Sequence, residues 1–320
     1  MPRLRRSRCA EPGIRRRRSG RGFRYVDAAG TAIADPAELE RITALAIPPA
    51  WTGVWICPYP NGHIQATGVD QAGRRQYLYH PAWRSRSDDE KFVRMLELAR
   101  ALPAARRGAT RDLRHAGLGR ERLLAGAFRL LDAGSLRIGS PRYEEERGTI
   151  GLTTLLVRHA VVEGTTVRLR FPGKSGQAWR SLLDDADLAA LIAPLTARSR
   201  RARLLAWQDA AGRWHPLRPA EVNADIRRRL GGEFSAKDFR TLCGTATAAL
   251  RLAAIGARPT ASGRRRAIAE AVSAAADVLG NTPAIARGSY VDPRILDRYE
   301  HGETVPTAHA VETGLVELLS

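Results

Sequence analysis

The chain has 320 residues, of which 52 are lysine or arginine and 33 are aspartate or glutamate, so its formal net charge is +19. This charge predicts a polyanionic partner, with nucleic acid as the first candidate and an anionic membrane surface as the second. The absence of a long apolar run argues against a membrane span or a signal peptide, and three separated cysteines favour neither a disulfide framework nor a zinc site, so a cytoplasmic, nucleoid-associated protein is expected.

The first elements along the chain predict a basic arm followed by a small sheet. Residues 1–19 are rich in arginine and lack periodicity, so they are expected to be a disordered arm. Residues 20–84 are expected to form a β-rich domain. Short alternating or β-branched runs at 23–26, 54–57, 64–68 and 76–80 predict antiparallel strands, and Asp35 before Pro36 predicts the start of a short helix.

The polar segment 84–89 is the predicted domain boundary, and helical periodicity dominates residues 85–320. One apolar helix face is marked by Phe92 and Met95, and another lies between Leu123 and Leu131. Residues 152–162 predict a further helix. Residues 167–171 then alternate as a strand, which predicts a β-hairpin with Lys174 at its turn.

The remaining elements are predicted from their caps. A strand pair is expected at 203–207 and 213–214. Ser235 followed by Asp238 forms a capping box for a long alanine-rich helix, and Thr282-Pro283 and Asp292-Pro293 each start a short one. The expected fold class is therefore α+β, with a small antiparallel β-rich N-terminal domain and a larger, mainly α-helical domain.

Two common types of site are not supported by the spacing of residues. Gly173-Lys174-Ser175 ends like a phosphate-binding P-loop, but Arg168 stands where that motif needs glycine. The acidic run 144–146 has consecutive carboxylates, which do not converge on one ion, and the histidines are scattered. We therefore expect no metal and no other cofactor.

The basic residues at the ends of predicted elements fit a third type of site, in which a phosphodiester is bound and attacked. The chain has only three lysines, Lys91, Lys174 and Lys237, and arginine cannot replace a lysine as a proton donor. Lys91 is expected to be a solvated residue on a helix face. Two arginines, Arg137 and Arg240, are suited to binding a phosphodiester, and a tyrosine such as Tyr290 is suited to attacking it.

Taken together, the motifs resemble those of the small type IB DNA topoisomerases of bacteria and poxviruses. They occur in the family's order from about residue 22 to about residue 293, and the matching segments are residues 61–70, 73–80, 136–139, 151–155, 171–174, 237–241, 279–283 and 289–290. The resemblance implies the family's fold, with a β-hairpin that carries a catalytic lysine. It also implies ATP-independent relaxation of positive and negative supercoils by a monomer that clamps double-stranded DNA.

The resemblance also implies roles for individual residues. Tyr290 would form a DNA 3′-phosphotyrosyl bond, Arg137 and Arg240 would bind the scissile phosphate, and Lys174 would protonate the departing 5′-oxygen. Asn281 stands where poxvirus relatives have histidine, so it could donate a hydrogen bond but could not carry a proton. Further DNA contacts would come from Gln76, Tyr77, Tyr79, Tyr143 and Lys237.

Two alternatives remain open on the sequence alone. A tyrosine recombinase shares the tyrosine, the arginine pair and the hairpin lysine, but usually has histidine at the position of Lys237 and a helical N-terminal domain. A non-catalytic basic nucleoid protein explains the charge equally well but not the ordered set of motifs.

Overall fold

The structure is a computed structural model that describes residues 3–173 and 176–320, without the side chains of residues 84–89, 143 and 147. The chain forms two compact units that divide after Glu90. The division lies one residue beyond the end of the predicted boundary segment 84–89, and that segment belongs to a helix.

The first unit is built on an antiparallel sheet in the spatial order β2-β1-β3-β4-β5. Its core contains Ile14, Ile42 and Ile56, which come from the first strand, the helix and the third strand. Asp35 caps the helix as predicted, because its side chain accepts a hydrogen bond from the Ala37 N–H. The elements are β1 (Ile14–Ser19), β2 (Gly22–Val26), α1 (Pro36–Ala44), β3 (Thr52–Ile56), β4 (Ile64–Val69) and β5 (Arg75–Tyr79).

The arginine-rich start of the chain differs from its prediction as a disordered arm. Residues 14–19 form β1, which pairs with both β2 and β3. The guanidinium of Arg16 donates to the carbonyls of Ile47, Pro48 and Trp51 at 2.6 to 3.1 Å and lies over the ring of Phe23. These carbonyls belong to residues more than 30 positions later in the chain. Together with the strand pairing, they hold the basic segment 14–19 in an ordered strand.

The second unit is mainly helical and is interrupted by a three-stranded antiparallel sheet in the order β6-β7-β8 and by a small hairpin. The helix α2 (Pro81–Leu113) leads into this unit. The other elements are α3 (Arg120–Gly134), α4 (Pro141–Arg147), β6 (Ala160–Glu163), β7 (Thr166–Pro172), β8 (Ala178–Asp184), α5 (Ala186–Thr196), β9 (Ala206–Gln208), β10 (Trp214–Pro216), α6 (Pro219–Leu230), α7 (Ala236–Ile255), α8 (Ala261–Leu279), α9 (Pro283–Ser289), α10 (Pro293–Glu300) and α11 (Val311–Leu319).

The helix α7 is central to this unit, since α3, α8, α10 and α11 all pack against it. The apolar faces predicted around Met95 and Leu123 are buried in the common core. The predicted capping box is also present, because the Ser235 N–H donates to the Asp238 carboxylate at 2.8 Å.

Two expectations for the second unit are wrong. Residues 152–162 do not form one helix but two short 3₁₀ turns, Leu152–Thr154 and Val157–His159, followed by β6. Lys91 is not solvated but is only 6% exposed, and its ammonium lies 4.2 Å from the ring centre of Phe92. An apolar run does not distinguish helix from strand by itself, and the methylene stem of a lysine can pack in a core.

Candidate active site

Arg137 lies in the loop after α3, and its backbone is held by the 3₁₀ turn Leu152–Thr154. The Leu152 and Thr153 N–H groups donate to the carbonyls of Arg137 and Ile138 at 2.8 and 2.9 Å. A Cβ atom on Gly139 would lie 2.9 Å from the backbone of Gly151, so this contact needs glycine. The sequence motif at 151–155 therefore fixes the segment that carries Arg137.

Arg240 is in the first turn of α7 and is 2% exposed. Its two terminal nitrogens donate to the carbonyls of Ser135 and Leu279, at 2.5 and 2.7 Å. Its guanidinium carbon lies 5.1 Å from the ring centre of Tyr290. Its Nε is buried and has no acceptor within the described part of the chain.

Asn281 follows the C-terminus of α8 and joins the same cluster. Its Oδ1 accepts a hydrogen bond from Arg137 Nη2 at 2.8 Å. Its Nδ2 is buried without a partner among residues 3–173 and 176–320. A buried donor of this kind is costly unless a ligand supplies an acceptor.

Tyr290 ends α9, and its backbone is attached to α7 through Thr245. The Thr245 hydroxyl donates to the Tyr290 carbonyl at 3.0 Å and accepts from the Asp292 N–H at 3.1 Å. Sequence reasoning missed Thr245. The available signal was weak, because Thr245 is one of three threonines in this alanine-rich helix, on the same element as Arg240.

Arg203 is a second residue that sequence reasoning missed. It donates to the Thr154 carbonyl at 2.9 Å and forms an ion pair with Glu144 at 2.6 Å. It therefore links α4, on which Tyr143 lies, to the 3₁₀ turn that supports Arg137.

The electrostatics of the cluster favour an anion. The pKa of Arg137 is lowered, first by burial and then by the positive charge of Arg240, whereas the Tyr290 phenol acts in the opposite direction. Among the residues that the structure describes, neither arginine forms an ion pair with a carboxylate. Two neighbouring guanidinium groups with buried donors beside them are arranged to bind phosphate.

The structure thus brings together four of the predicted catalytic residues: Arg137, Arg240, Asn281 and Tyr290. The fifth, Lys174, lies outside the described residues. Lys237 is exposed in the first turn of α7, the end of the helix at which Arg240 lies. The side chain of Tyr143 is also outside the description.

The remaining predicted DNA contacts belong to β5 in the first unit. Tyr77 and Tyr79 alternate with half-buried positions, are 41% and 39% exposed, and stack with ring centres 6.2 Å apart. The side chain of Gln76 instead donates to Asp70 at 2.8 Å. β5 is the last strand of its sheet, so these two rings are on an open edge.

The described residues contain neither a metal-ligand cluster nor a helix suited to crossing a membrane. No group of three or more histidine, cysteine, aspartate or glutamate side chains there is arranged to hold a metal ion. None of the helices there combines the length and apolar character that crossing a membrane requires.

Comparison with known proteins matches two families in succession. Residues 22–70 match the bacterial DNA topoisomerase IB N-terminal domain. Residues 80–303, more than two thirds of the chain, match the eukaryotic DNA topoisomerase I catalytic core.

Individual relatives agree with these matches. The chain is 28% identical to DNA topoisomerase 1B of Acanthamoeba polyphaga mimivirus over 295 residues, which cover 90% of this chain and 88% of the relative. It is 26% identical to DNA topoisomerase 1 of Mycosarcoma maydis over 189 residues, which cover 53% of this chain but only 18% of that much longer relative.

Proposed function

We propose that this chain, which belongs to the family of type IB DNA topoisomerases, relaxes supercoiled DNA through a covalent bond between Tyr290 and one DNA strand. The observation that carries the residue assignment is the convergence of Arg137 and Arg240 beside the Tyr290 ring, without a carboxylate partner in the described part of the chain. A phosphodiester supplies the negative charge that this cluster lacks.

In the proposed cleavage step, the Tyr290 oxygen attacks the scissile phosphorus, and the phenol proton passes to solvent water. The bond from phosphorus to the DNA 5′-oxygen breaks, and that oxygen takes a proton from Lys174. The product is a 3′-phosphotyrosyl bond and a free 5′-hydroxyl. Rejoining is the reverse reaction, so supercoils are removed between the two steps without ATP.

The arginines supply the electrostatic part of catalysis in this proposal. Arg137 and Arg240 neutralise the charge that builds up on the non-bridging oxygens, and the same positive charge favours the ionised phenol of Tyr290. The buried Nδ2 of Asn281 donates a hydrogen bond to one of those oxygens, while its Oδ1 keeps Arg137 in place.

We further propose that both units contact duplex DNA and that the enzyme acts as a monomer. The exposed rings of Tyr77 and Tyr79 would pack on the DNA, with Gln76, Tyr143 and Lys237 as additional contacts. The net charge of +19 supports salt-sensitive binding to phosphates over a large surface.

The proposal is tested by relaxation of negatively and positively supercoiled plasmids in EDTA without ATP, over a range of salt concentrations. The unsubstituted protein should relax both, and Tyr290→Phe should bind DNA but leave both supercoiled. A labelled oligonucleotide denatured during the reaction should carry the protein on the 3′ end of its upstream fragment, and the downstream fragment should begin with a free 5′-hydroxyl. Retained supercoiling in every salt would refute the function, and an adduct formed by Tyr290→Phe would refute the choice of nucleophile.

A further inference from the structure

Trp179 is near the turn end of the β7–β8 hairpin. It pairs directly with Phe171 across the two strands, and the next and last pair is Pro172 with Ala178. The Gly173 N–H then donates to the Gln177 carbonyl at 2.7 Å, which closes the described part of the hairpin. Lys174 follows Gly173 directly in the chain, so whatever fixes these residue pairs limits where Lys174 can reach.

One side of the Trp179 indole lies against the turn before Asn281 and near Arg240. A Cβ atom on Gly280 would lie 3.1 Å from the six-membered ring, so the ring packs against this backbone and a side chain there would displace it. Gly280 has a φ of +57°, ends α8 and directly precedes Asn281. The guanidinium carbon of Arg240 lies 5.9 Å from the indole centre.

On its other side, the indole is held by the hairpin. It stacks on Phe171 with ring centres 6.2 Å apart and an angle of 22° between the planes. Phe171 itself is buried in the main core, whereas Trp179 is only half-buried. The hairpin is therefore joined to the core by Phe171 and to the loop before Asn281 by Trp179.

A hydrogen bond does not explain why tryptophan is used here. The indole N–H is buried but has no acceptor among the described residues. What the indole supplies is a large rigid surface that reaches from β8 to the end of α8 and covers one side of Arg240.

We infer that Trp179 is a positioning residue that docks the lysine hairpin against Arg240 and the Gly280–Asn281 turn, so that proton delivery to the 5′-oxygen depends on it. This inference rests on the proposed function, because it takes Lys174 as the proton donor. General-acid catalysis requires hydrogen-bond reach between donor and oxygen, so a small displacement of the hairpin affects this step before it affects DNA binding.

The test compares single-turnover cleavage of two otherwise identical DNA strands. One has an ordinary phosphodiester, and the other has a bridging sulfur in place of the 5′-oxygen, which leaves without being protonated. The variants are Trp179→Ala, Lys174→Ala and, as a matched control, Trp214→Ala. Trp214 is a 39% exposed tryptophan in the separate β9–β10 hairpin and packs against Arg198, not against a proposed catalytic residue.

The expected result is a defect of about 10- to 100-fold for Trp179→Ala on the ordinary strand, largely removed by sulfur, with unchanged DNA affinity. Trp214→Ala should cleave both strands normally. If Trp179→Ala fails to fold, as judged by thermal melting, Trp179→Phe carries the same comparison, since it keeps a ring but shortens its reach and should give a smaller, sulfur-sensitive defect.

The strand with the bridging sulfur distinguishes an error in the inference about Trp179 from an error in the assignment of Lys174. If sulfur rescues Lys174→Ala but not the Trp179 variants, the inference about Trp179 is wrong and Lys174 remains the proposed proton donor. If sulfur rescues neither, the assignment of Lys174 is wrong. Normal cleavage of the ordinary strand by both Trp179 variants would also overturn the inference.

Discussion

The hydroxyl of Thr245 offers a way to disturb Tyr290 without touching the reacting groups. Thr245→Val keeps the shape of the side chain but removes the oxygen that bonds both the Tyr290 carbonyl and the Asp292 N–H, at 3.0 and 3.1 Å. The turn between α9 and α10 then has no hydrogen bond from this side chain to α7, the helix that carries Arg240.

The structure sets the size of the effect. A buried backbone group left without a partner costs about 1 to 3 kcal/mol, and the value for the partly buried Tyr290 carbonyl should be near the lower end. The turn is expected to shift and so avoid part of this cost. A shift on the order of 1 Å at a reacting group lowers its rate on the order of 100-fold. The variant should therefore lose both stability and cleavage rate.

Single-turnover cleavage and DNA affinity should be measured together for Thr245→Val, Thr245→Ser and Thr110→Val. Serine keeps the hydroxyl and should restore most of the rate. Thr110 also donates to one partner and accepts from another, Arg106 and Arg129, but on α2 away from the proposed catalytic residues, so its variant should be less stable and still cleave normally. A full cleavage rate for Thr245→Val, or equal rate losses for both valine variants, would refute the positioning role.

Three further predictions concern the other proposed residues. Lys174→Ala should slow cleavage of an ordinary strand by about 10²- to 10⁴-fold, and Lys174→Arg should stay slow despite its charge, as single-turnover rates would show. Asn281→Ala should lower the cleavage rate less than Arg240→Ala in the same assay, because Asn281 would supply one hydrogen bond to the phosphate, whereas Arg240 would also supply a full positive charge. Replacing Tyr77 and Tyr79 by alanine should weaken DNA binding without changing its salt dependence, since the rings neutralise no phosphate; a smaller slope in a salt titration would contradict this.

Many of the helices in both units could be predicted because their signals are local. Asp35, Ser235 and Thr282 cap helices at the positions expected from their neighbours in the sequence. The strand β1 could not be predicted in this way. Its Arg16 is satisfied by carbonyls more than 30 residues later in the chain, and nothing in the local composition indicates them.

The candidate site shows the same difference between local signals, which the sequence displays, and contacts between distant residues, which it does not. Its motifs indicated Arg137, Arg240, Asn281 and Tyr290, but not what holds them in place. The supports are contacts between distant segments, such as the Leu152 N–H on the Arg137 carbonyl and the Thr245 hydroxyl on the Tyr290 carbonyl. A serine or threonine in a helix has many local explanations, so spacing alone does not identify such a role.

The arginines of this chain illustrate why structure is needed to separate support from chemistry. Arg106, Arg203 and Arg229 form ion pairs at 2.6 to 2.8 Å with Asp132, Glu144 and Asp225, so their charges are already neutralised within the fold.

Arg137 and Arg240 have partners of a different kind, namely backbone carbonyls, an amide oxygen and an aromatic ring. Such neutral groups orient a guanidinium without cancelling its charge, and the pKa of Arg137 is lowered partly because its neighbour is also positive. A carboxylate here would stabilise the free protein and compete with DNA for the same donors. In the proposed mechanism, a site that leaves this repulsion in place gains most when a phosphate enters, and gains more still as the phosphate acquires negative charge during the attack by Tyr290.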